Sequence, residues 1–293
     1  MPISNFPATV TMPVVDQPFP SILEFLIERF PRIHKDTWEE RISPGKVLNE
    51  DGFSVAFDTA YAPRKKLSYF REVEKEIPIP FQEEVIHRDQ NLLVVDKPHF
   101  LPTTQGGRFV NESLIHRLRE KTGILEIAPI HRIDRETAGL VMFSLHPEAR
   151  ATYQLMFERR QVTKVYHAIS PTVPKEARKE WQLDNRLVGG EPPFRIREGK
   201  GVPNASTRIV PVESKFGRTY FHLFPHTGKR HQLRCHMASL GFQIENDKYY
   251  TDLQHEVPDN YEKPLQLLAM ELEFTDPLAG DLRHFSSQRK LKW

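Results

Sequence analysis

Strand-forming segments follow one another along most of this chain, with helical segments placed irregularly between them. They are rich in β-branched, aromatic and other apolar residues, and they lie at 84–98, 164–169, 206–212, 219–224 and 266–274. A parallel sheet requires a crossover, usually a helix, between consecutive strands, and this chain shows no such strict alternation. The sequence therefore predicts an α+β fold with a largely antiparallel mixed sheet and peripheral helices.

Capping residues mark where the helices begin and end. SILE, from Ser21, is a capping box in which Glu24 reaches back to the cap, and DTWEERI, from Asp36, repeats the device. Three further helices are predicted at 112–123, 147–160 and 228–241. In the last of these, the four-residue spacing of Arg230 and Arg234 places both on one face.

Composition along the chain suggests two domains. Residues 1–17 are proline-rich and are expected to form an irregular lead-in. Two short helices and a small hairpin make a compact unit at 18–75, which ends in a charged stretch and the linker IPIPF. The remaining residues, 80–293, form the second and larger domain, which contains most of the predicted strands.

Charge and cysteine content narrow the class of protein. The 41 Lys and Arg nearly balance the 39 Asp and Glu, but the segment 208–240 carries six basic residues and one acidic residue, which suits a polyanion. The one cysteine, Cys235, indicates a reducing compartment. With no secretory signal and no apolar run near the ~20 residues of a membrane span, we expect a cytoplasmic protein without membrane contact.

The decapeptide HRIDRETAGL, residues 131–140, holds one aspartate, Asp134, between Arg132 and Arg135. One interpretation is a solvated turn whose surface ion pairs each contribute roughly 0–1 kcal/mol. The other is a carboxylate kept charged inside a pocket, where it can attack a substrate. The decapeptide alone does not decide between them.

Four motifs in a fixed order carry a family resemblance. They are NLLVVDKPHFLPTTQGG (91–107), HRIDRETAGL (131–140), KVYHA (164–168) and HTGKRHQLRCHMASLGFQIENDKYY (226–250). Together they resemble the motifs of the RluA-type pseudouridine synthases, over about residues 85–280. The unit at 18–75 resembles, less closely, an S4-like RNA-binding domain.

This resemblance implies an enzyme that isomerises uridine in rRNA or tRNA to pseudouridine. The uracil base is detached from C1′, turned and rejoined through C5, without a cofactor or metal. By resemblance, Asp134 is the nucleophile, Arg234 is its charge partner, and Tyr166 stacks on the flipped base and assists removal of the C5 proton. Whether the carboxylate adds to C6, attacks C1′ or assists a glycal route stays open.

RNA is the expected partner of a monomeric protein. The candidate RNA-binding residues are Arg132, Arg135, Lys97, Lys164, Lys229, Arg230 and His231. A lysine at the end of a strand, such as Lys97, is equally compatible with solvent exposure. Four histidines between 222 and 236 cannot easily converge on one metal ion, because those five apart on a helix are turned by ~140° from one another.

A different class of function stays open: an RNA-binding or RNA-folding protein that kept this fold without catalysis. The segment GFQIENDKYY, 241–250, departs from the family's Gly-x-Pro-Ile-x-Gly-Asp pattern, so the role of Asp247 is in doubt. Ala138 and Ile133 replace residues that are commonly Ser and Leu, and Lys229-Arg230 replaces Arg-Thr. Asp134, Tyr166 and Arg234 nevertheless match the family's catalytic positions.

Overall fold

The structure is a computed structural model that describes residues 1–31, 33–175, 179–250 and 258–293. The chain forms two compact units, of which the first comprises 1–77 and 105–111 and the second 78–104 and 112–293. The boundary at Ile77/Pro78 lies in the gap between the two predicted domains. Sequence reasoning did not predict that residues 105–111 belong to the first unit.

The first unit is a three-stranded antiparallel sheet with two helices, in the order β1-β3-β2. Its elements are β1 (Ala8–Thr11), α1 (Ile22–Arg29), α2 (Lys35–Ile42), β2 (Val47–Leu48) and β3 (Lys66–Tyr69). Apolar residues of all five, including Phe25, Trp38 and Leu67, form its core. Whether this unit is S4-like stays a prediction.

Two sequence predictions about the first unit are wrong. The lead-in at 1–17 is not irregular throughout, because its residues Ala8–Thr11 form a strand that pairs with Lys66–Tyr69. Lys66–Tyr69 lies near the end of the predicted domain 18–75. The N-terminus of α1 is as predicted, with the Glu24 N–H donating to Ser21 Oγ at 3.3 Å. In contrast, α2 is capped by His34, whose Nδ1 accepts from the Asp36 N–H, rather than by Asp36.

The second unit is built on an 11-stranded sheet, which confirms the predicted α+β class. The strand order is β10-β9-β11-β12-β8-β13-β7-β5-β4, with β14 on β13 and β6 on β7. The strands are β4 (Glu84–Arg88), β5 (Leu92–Lys97), β6 (Ala128–Pro129), β7 (Ala138–Ser144), β8 (Thr163–Ser170), β9 (Trp181–Gly189), β10 (Ile196–Gly199), β11 (Ala205–Lys215), β12 (Arg218–Pro225), β13 (Leu267–Thr275) and β14 (Leu282–Ser286). The helices are α3 (Leu114–Thr122), α4 (Pro147–Glu158) and α5 (Gln232–Ser239). Among the strands of the described residues, the pairing is antiparallel except between β13 and β7.

Sequence reasoning missed the strands β6, β7, β9, β10 and β14. The side chains of β9, β10 and β14 are largely polar or charged, as in WQLDNRLVG of β9, whose residues alternate between partial burial and exposure over most of its length. Strands with little apolar surface to bury give a weak pattern, because the pattern records burial rather than backbone pairing.

The helix predicted at 228–241 begins four residues later, at Gln232. His231 precedes it with left-handed backbone angles (φ 51°), so that the segment 228–231 forms a turn. The buried Gln232 amide stabilises this turn by accepting from the Lys229 N–H at 2.9 Å and from the Thr227 hydroxyl at 2.8 Å. Arg230 therefore lies outside the helix, and the prediction that it shares a helical face with Arg234 is wrong.

The only parallel pairing of the sheet within the described residues depends on Gly139. Here β7 meets β13 through Ala138 opposite Leu268 and Gly139 opposite Ala269. Gly139 has φ +111°, and a Cβ added to it would lie 2.2 Å from the Ala269 carbonyl oxygen. Position 139, the second residue of β7 after the Asp134 loop, must therefore be glycine.

We expect Gly139→Ala to lower the free energy of unfolding by about 3 kcal/mol or more, because it combines backbone strain with a backbone clash. Gly280→Ala is the matched control, since Gly280 has φ +80° but nothing within 4 Å of an added Cβ. It should cost only about 1 kcal/mol. Urea unfolding of both variants measures the difference, and equal losses would contradict the close approach of β7 to β13.

Candidate active site

Asp134 lies on the loop 131–137, which connects β6 to β7. The loop closes on itself through the Thr137 N–H, which donates to the Asp134 carbonyl at 3.2 Å. His131 fixes its start, with Nε2 accepting from the Met142 N–H at 3.1 Å and the ring stacked on Phe157 at 4.5 Å. Burial lowers the pKa of His131 to about 3, so that it is a neutral structural group.

The segment after β5 holds this loop through its carbonyl groups. The Thr103 hydroxyl donates to the Ile133 carbonyl at 3.1 Å, the Lys97 ammonium donates to the Arg135 carbonyl at 3.2 Å, and the His99 ring bonds the Glu136 carbonyl at 2.6 Å. Lys97, His99 and Thr103 of the DKPHFLPTT segment thus position the backbone on both sides of Asp134.

The structure contradicts the prediction that Lys97 binds RNA. Lys97 is fully buried, and its Nζ also donates to the carbonyls of Pro98 at 3.0 Å and Leu101 at 2.7 Å. Burial lowers its pKa to about 7, against the opposing charges of Glu136 and Asp134. An ammonium group with three carbonyl acceptors and no exposed surface is a structural cross-link.

Arg234 brings together the acidic groups of the site. It is carried by α5 and is 1% exposed. Its Nε and Nη2 donate to the two oxygens of Asp247, both at 2.7 Å, while Nη1 lies 3.4 Å from Asp134 Oδ2 and 3.7 Å from Glu136 Oε2. Burial alone would lower the pKa of Arg234, but Asp247, Asp134 and Glu136 raise it above its usual range.

Tyr166 lies on β8, opposite Leu223 of β12 and Ala269 of β13. Burial raises the pKa of Tyr166, and the negative charge of Asp134 raises it further. The predicted catalytic residues Asp134, Tyr166 and Arg234, which are far apart in sequence, therefore line one pocket.

This pocket has an empty volume of about 510 Å³ and is open to solvent. Asp134, with 23% of its side chain exposed, is accessible from it. The lining residues are Arg132, Ile133, Asp134, Thr137, Lys164, Tyr166, Pro225, Thr227, Gly228, Lys229, His231, Gln232, Leu233, Arg234 and Leu267. The cavity combines one partly exposed carboxylate, one phenol ring and several cationic side chains.

The predicted RNA-binding residues divide into two groups. Arg132, Lys164, Lys229 and His231 line the pocket, and Arg132 and Lys229 are exposed. Lys164 donates to the Thr227 carbonyl at 3.3 Å, and burial, with the charge of Arg160, lowers its pKa to about 8.

Arg135 and Arg230 do not line the pocket. The Arg135 guanidinium forms a two-point pair with Asp259, at 2.8 and 2.9 Å, and also contacts Glu136. Arg230 is exposed and donates to the carbonyl of Pro193 at 2.8 Å. For Arg135 the structure favours an internal ion pair over the predicted RNA contact, because its charge is already compensated.

His231 lies beside the carboxylate rather than on the outer rim. Its Nε2 is 3.9 Å from Asp134 Oδ2, its Nδ1 is 3.3 Å from the Tyr250 hydroxyl, and its ring stacks on Tyr249 at 5.7 Å. Burial lowers the pKa of His231, although the charge of Asp134 acts in the opposite direction.

Sequence reasoning missed one acid, Glu136, and two aromatic rings of the site, and it left the role of Asp247 in doubt. Glu136 has 13% of its side chain exposed, and although burial raises its pKa, Arg135 and Arg234 lower it overall. Asp247 also accepts from the Tyr249 N–H at 2.8 Å, and the Arg234 guanidinium lies 4.7 Å from the Tyr249 ring and 5.6 Å from that of Tyr250. The ENDKYY sequence thus supplies Asp247 to Arg234 despite its departure from the family pattern.

Among the described residues, no group of three or more histidine, cysteine, aspartate or glutamate side chains is placed to hold a metal ion. In the same parts of the chain, no helix has the length and apolar character needed to cross a membrane.

We expect Lys97→Met to lower the free energy of unfolding by about 2–4 kcal/mol, because three buried carbonyl groups lose their donor. RNA affinity of the folded variant should stay within about twofold of wild type, since no RNA contact is removed. Lys229→Met, at an exposed position, should show the opposite pattern: stability within about 0.5 kcal/mol and weaker RNA binding. Urea unfolding and RNA titration distinguish the two, and a stable Lys97→Met variant with weakened RNA binding would contradict the structural role.

Comparison with known proteins places this site in a family. A family model described as RNA pseudouridylate synthase matches residues 91–239, which include Asp134, Tyr166 and Arg234. The dual-specificity RNA pseudouridine synthase RluA of Haemophilus influenzae is 30% identical over 231 residues, covering 74% of this chain and 97% of that protein. The ribosomal large subunit pseudouridine synthase D of Neisseria meningitidis is 24% identical over 298 residues, covering 95% of this chain and 77% of that protein.

A solved structure shows the same similarity. The human protein RNA pseudouridylate synthase domain containing 4 has a TM-score of 0.55 and 25% identity, covering 71% of this chain and 88% of that one. The family model matches half of this chain, and the 30% identity with RluA extends over 97% of that protein. Both findings agree with the order of the four motifs in this chain. This chain belongs to the RNA pseudouridylate synthase family, as a member of its RluA type.

Proposed function

We propose that this protein isomerises uridine in rRNA or tRNA to pseudouridine, with Asp134 as the nucleophile and without a cofactor. The observation that carries the proposal is the position of Asp134 in an open pocket, 3.4 Å from a guanidinium group and beside a phenol ring. A cytoplasmic location and a monomeric state remain predictions from the sequence.

The surroundings of Asp134 suit a reactive carboxylate. The Arg234 guanidinium contacts Asp134 only through Nη1, because its other two nitrogens are held by Asp247 at 2.7 Å. Asp134 lines the pocket and is partly exposed there. Addition to C6, attack on C1′ and assistance of a glycal route all require such a carboxylate beside base and ribose.

Tyr166 is suited to stack on the uracil and to act late in the reaction. The charge of Asp134 contributes to its raised pKa, so the phenol stays protonated while Asp134 is free. Addition to C6 removes that charge, because the carboxylate becomes an ester that is still intact when the C5 proton leaves; the pKa of Tyr166 is then lower and its hydroxyl is a better proton acceptor. Attack on C1′ and the glycal route also consume the charge, but formation of the C5–C1′ bond restores it before the C5 proton leaves.

The rim of the pocket supplies the contacts to the RNA backbone. Arg132 is exposed, lines the pocket and makes no hydrogen bond or ion pair within the described residues, while Lys229 is exposed and lines the same pocket. We therefore assign phosphate contacts to Arg132 and Lys229, rather than to Arg135 and Lys97. Such contacts give an affinity that falls with salt concentration.

We expect Asp134→Asn to lower turnover by about 10⁴-fold or more, because an amide cannot act as the nucleophile. RNA affinity should change by less than about twofold, since the phosphate contacts remain. Tritium release from [5-³H]uridine-labelled RNA of cells lacking this protein measures turnover, and Asp281→Asn, at an exposed position, is the control. The absence of release with well-folded wild-type protein would favour the alternative, an RNA-binding or RNA-folding protein without catalysis.

Tyr166→Phe should lower single-turnover rates by about 10²–10⁴-fold, the usual contribution of a general base, while RNA affinity stays unchanged. Tyr166→Leu should lose RNA affinity as well, because the stacking ring is removed. Rapid-quench assays combined with RNA titration separate the two effects. Equal turnover for Tyr166→Phe and wild type would show that the hydroxyl takes no part in proton removal.

A further inference from the structure

Strand β12 carries aromatic rings on its less buried face, where Tyr220 also packs against a small apolar cluster that includes Leu268 and Leu291. Thr219, Phe221, Leu223 and Pro225 are buried, whereas the alternating residues Tyr220, His222 and Phe224 are half-buried. Antiparallel sheets usually present polar side chains on the face that is not packed against the core. Three rings in alternate positions on such a face require another explanation.

These rings belong to a larger cluster, the reverse-face platform, which comprises Tyr220, His222, Phe224, His167 and Trp293. His167 of β8 lies directly opposite His222, and their rings stack in parallel at 4.3 Å with an interplanar angle of 8°. Tyr220 contacts His222 at 6.0 Å and Trp293 at 5.4 Å, and Phe224 lies 6.4 Å from His222. The result is a continuous row of half-buried rings.

The platform lies on the opposite face of the sheet from Asp134. Tyr166 and Leu267 line the Asp134 pocket, while their neighbours His167 and Leu268 line a cleft beside the platform. Successive residues of a strand point to opposite faces. The cleft, bounded by Trp293 and its preceding residues, has an empty volume of about 820 Å³ and is a separate cavity.

Cationic side chains lie at both ends of the row. The Arg208 guanidinium is 4.2 Å from the centre of the Phe224 ring, and Lys215 Nζ is 4.6 Å from that of Trp293. Lys290, which is exposed, lines the cleft. The acids nearby, Glu180 and Glu213, pair with Arg208 at 3.1 Å and Lys215 at 3.8 Å.

The histidines behave as neutral rings near pH 7. Burial lowers the pKa of His167 to about 4, helped by His222 and opposed by Glu271, and burial also lowers the pKa of His222. Two charged imidazolium rings would repel each other at this distance, whereas neutral rings can stack. The platform is therefore aromatic and uncharged in its centre, with cations at its ends.

We propose that the reverse-face platform stacks the bases of a single-stranded RNA segment, with Arg208, Lys215 and Lys290 near its phosphates. Aromatic rings on a sheet face, flanked by cations, suit this ligand because every base offers a flat surface and every nucleotide a negative charge. The inference rests on the proposed RNA substrate, and it adds a second contact for a part of that RNA outside the Asp134 pocket.

The test uses the double variant His222→Ala/Phe224→Ala and a labelled oligouridylate of about 10 nucleotides, a typical length for a single-stranded site. Fluorescence anisotropy should show Kd raised about tenfold or more for the loss of two stacking rings. The matched control is Phe216→Asn, which removes an aromatic ring that is 93% exposed at the β11–β12 turn, outside the platform. Its Kd should equal that of wild type.

A second measurement locates the contact in the full-length wild-type protein. Oligouridylate containing 4-thiouridine should form photo-crosslinks to the peptide that includes 218–225, and these should be lost in the double variant. An unchanged Kd of the folded double variant, or crosslinks restricted to residues that line the Asp134 pocket, would overturn the proposal and favour a protein as the occupant. Neither readout requires turnover, so failure of the proposed isomerase activity would be recognised separately by tritium release.

Discussion

The buried guanidinium of Arg234 is the interaction on which the site depends. An arginine that is 1% exposed is tolerable only when acidic partners compensate its charge, and Asp247 does so through two hydrogen bonds of 2.7 Å. The third nitrogen, Nη1, lies 3.4 Å from Asp134 Oδ2, so that Arg234 makes only one long contact with Asp134. Asp247 thus leaves Asp134 beside a positive charge but accessible to a substrate.

The segment that begins at the end of β5 supports this geometry because it holds the backbone of the loop 131–137 rather than its side chains. Lys97, Thr103 and His99 all bond to carbonyl groups of the loop 131–137, and each comes from the segment that begins at the end of β5. Since β5 pairs with β7, the loop and its supports enter from neighbouring strands. A loop anchored through its carbonyls can present Asp134 with little entropy left to lose on substrate binding.

The sequence was sufficient to predict the fold class and to single out Asp134, Tyr166 and Arg234, which the structure brings into one pocket, and the reasons are local. The catalytic roles of these three residues stay predictions. Apolar strands give a clear pattern, as in LLVVDK of β5, which is buried along its entire length. Asp134, Tyr166 and Arg234 stand in motifs with fixed spacing. The misassigned residues were cations whose partners are remote: Arg135 pairs with Asp259, 124 residues away, and Lys97 reaches the Arg135 carbonyl 38 residues away. Charge read along a sequence cannot distinguish an internal cross-link from a phosphate contact, because burial and tertiary partners decide the role.

The central strands β8 and β12 connect the two faces of the sheet. Tyr166 and Leu223 pair on the face of the Asp134 pocket, while the next pair, His167 and His222, stacks on the reverse face. A strand keeps its side-chain alternation only if its register is fixed, since a slip of one residue would exchange the two faces. The same register that places a phenol ring beside Asp134 therefore places imidazole rings on the platform. An RNA long enough to contact both faces of this sheet would meet one aromatic surface on each face, with β8 contributing to both.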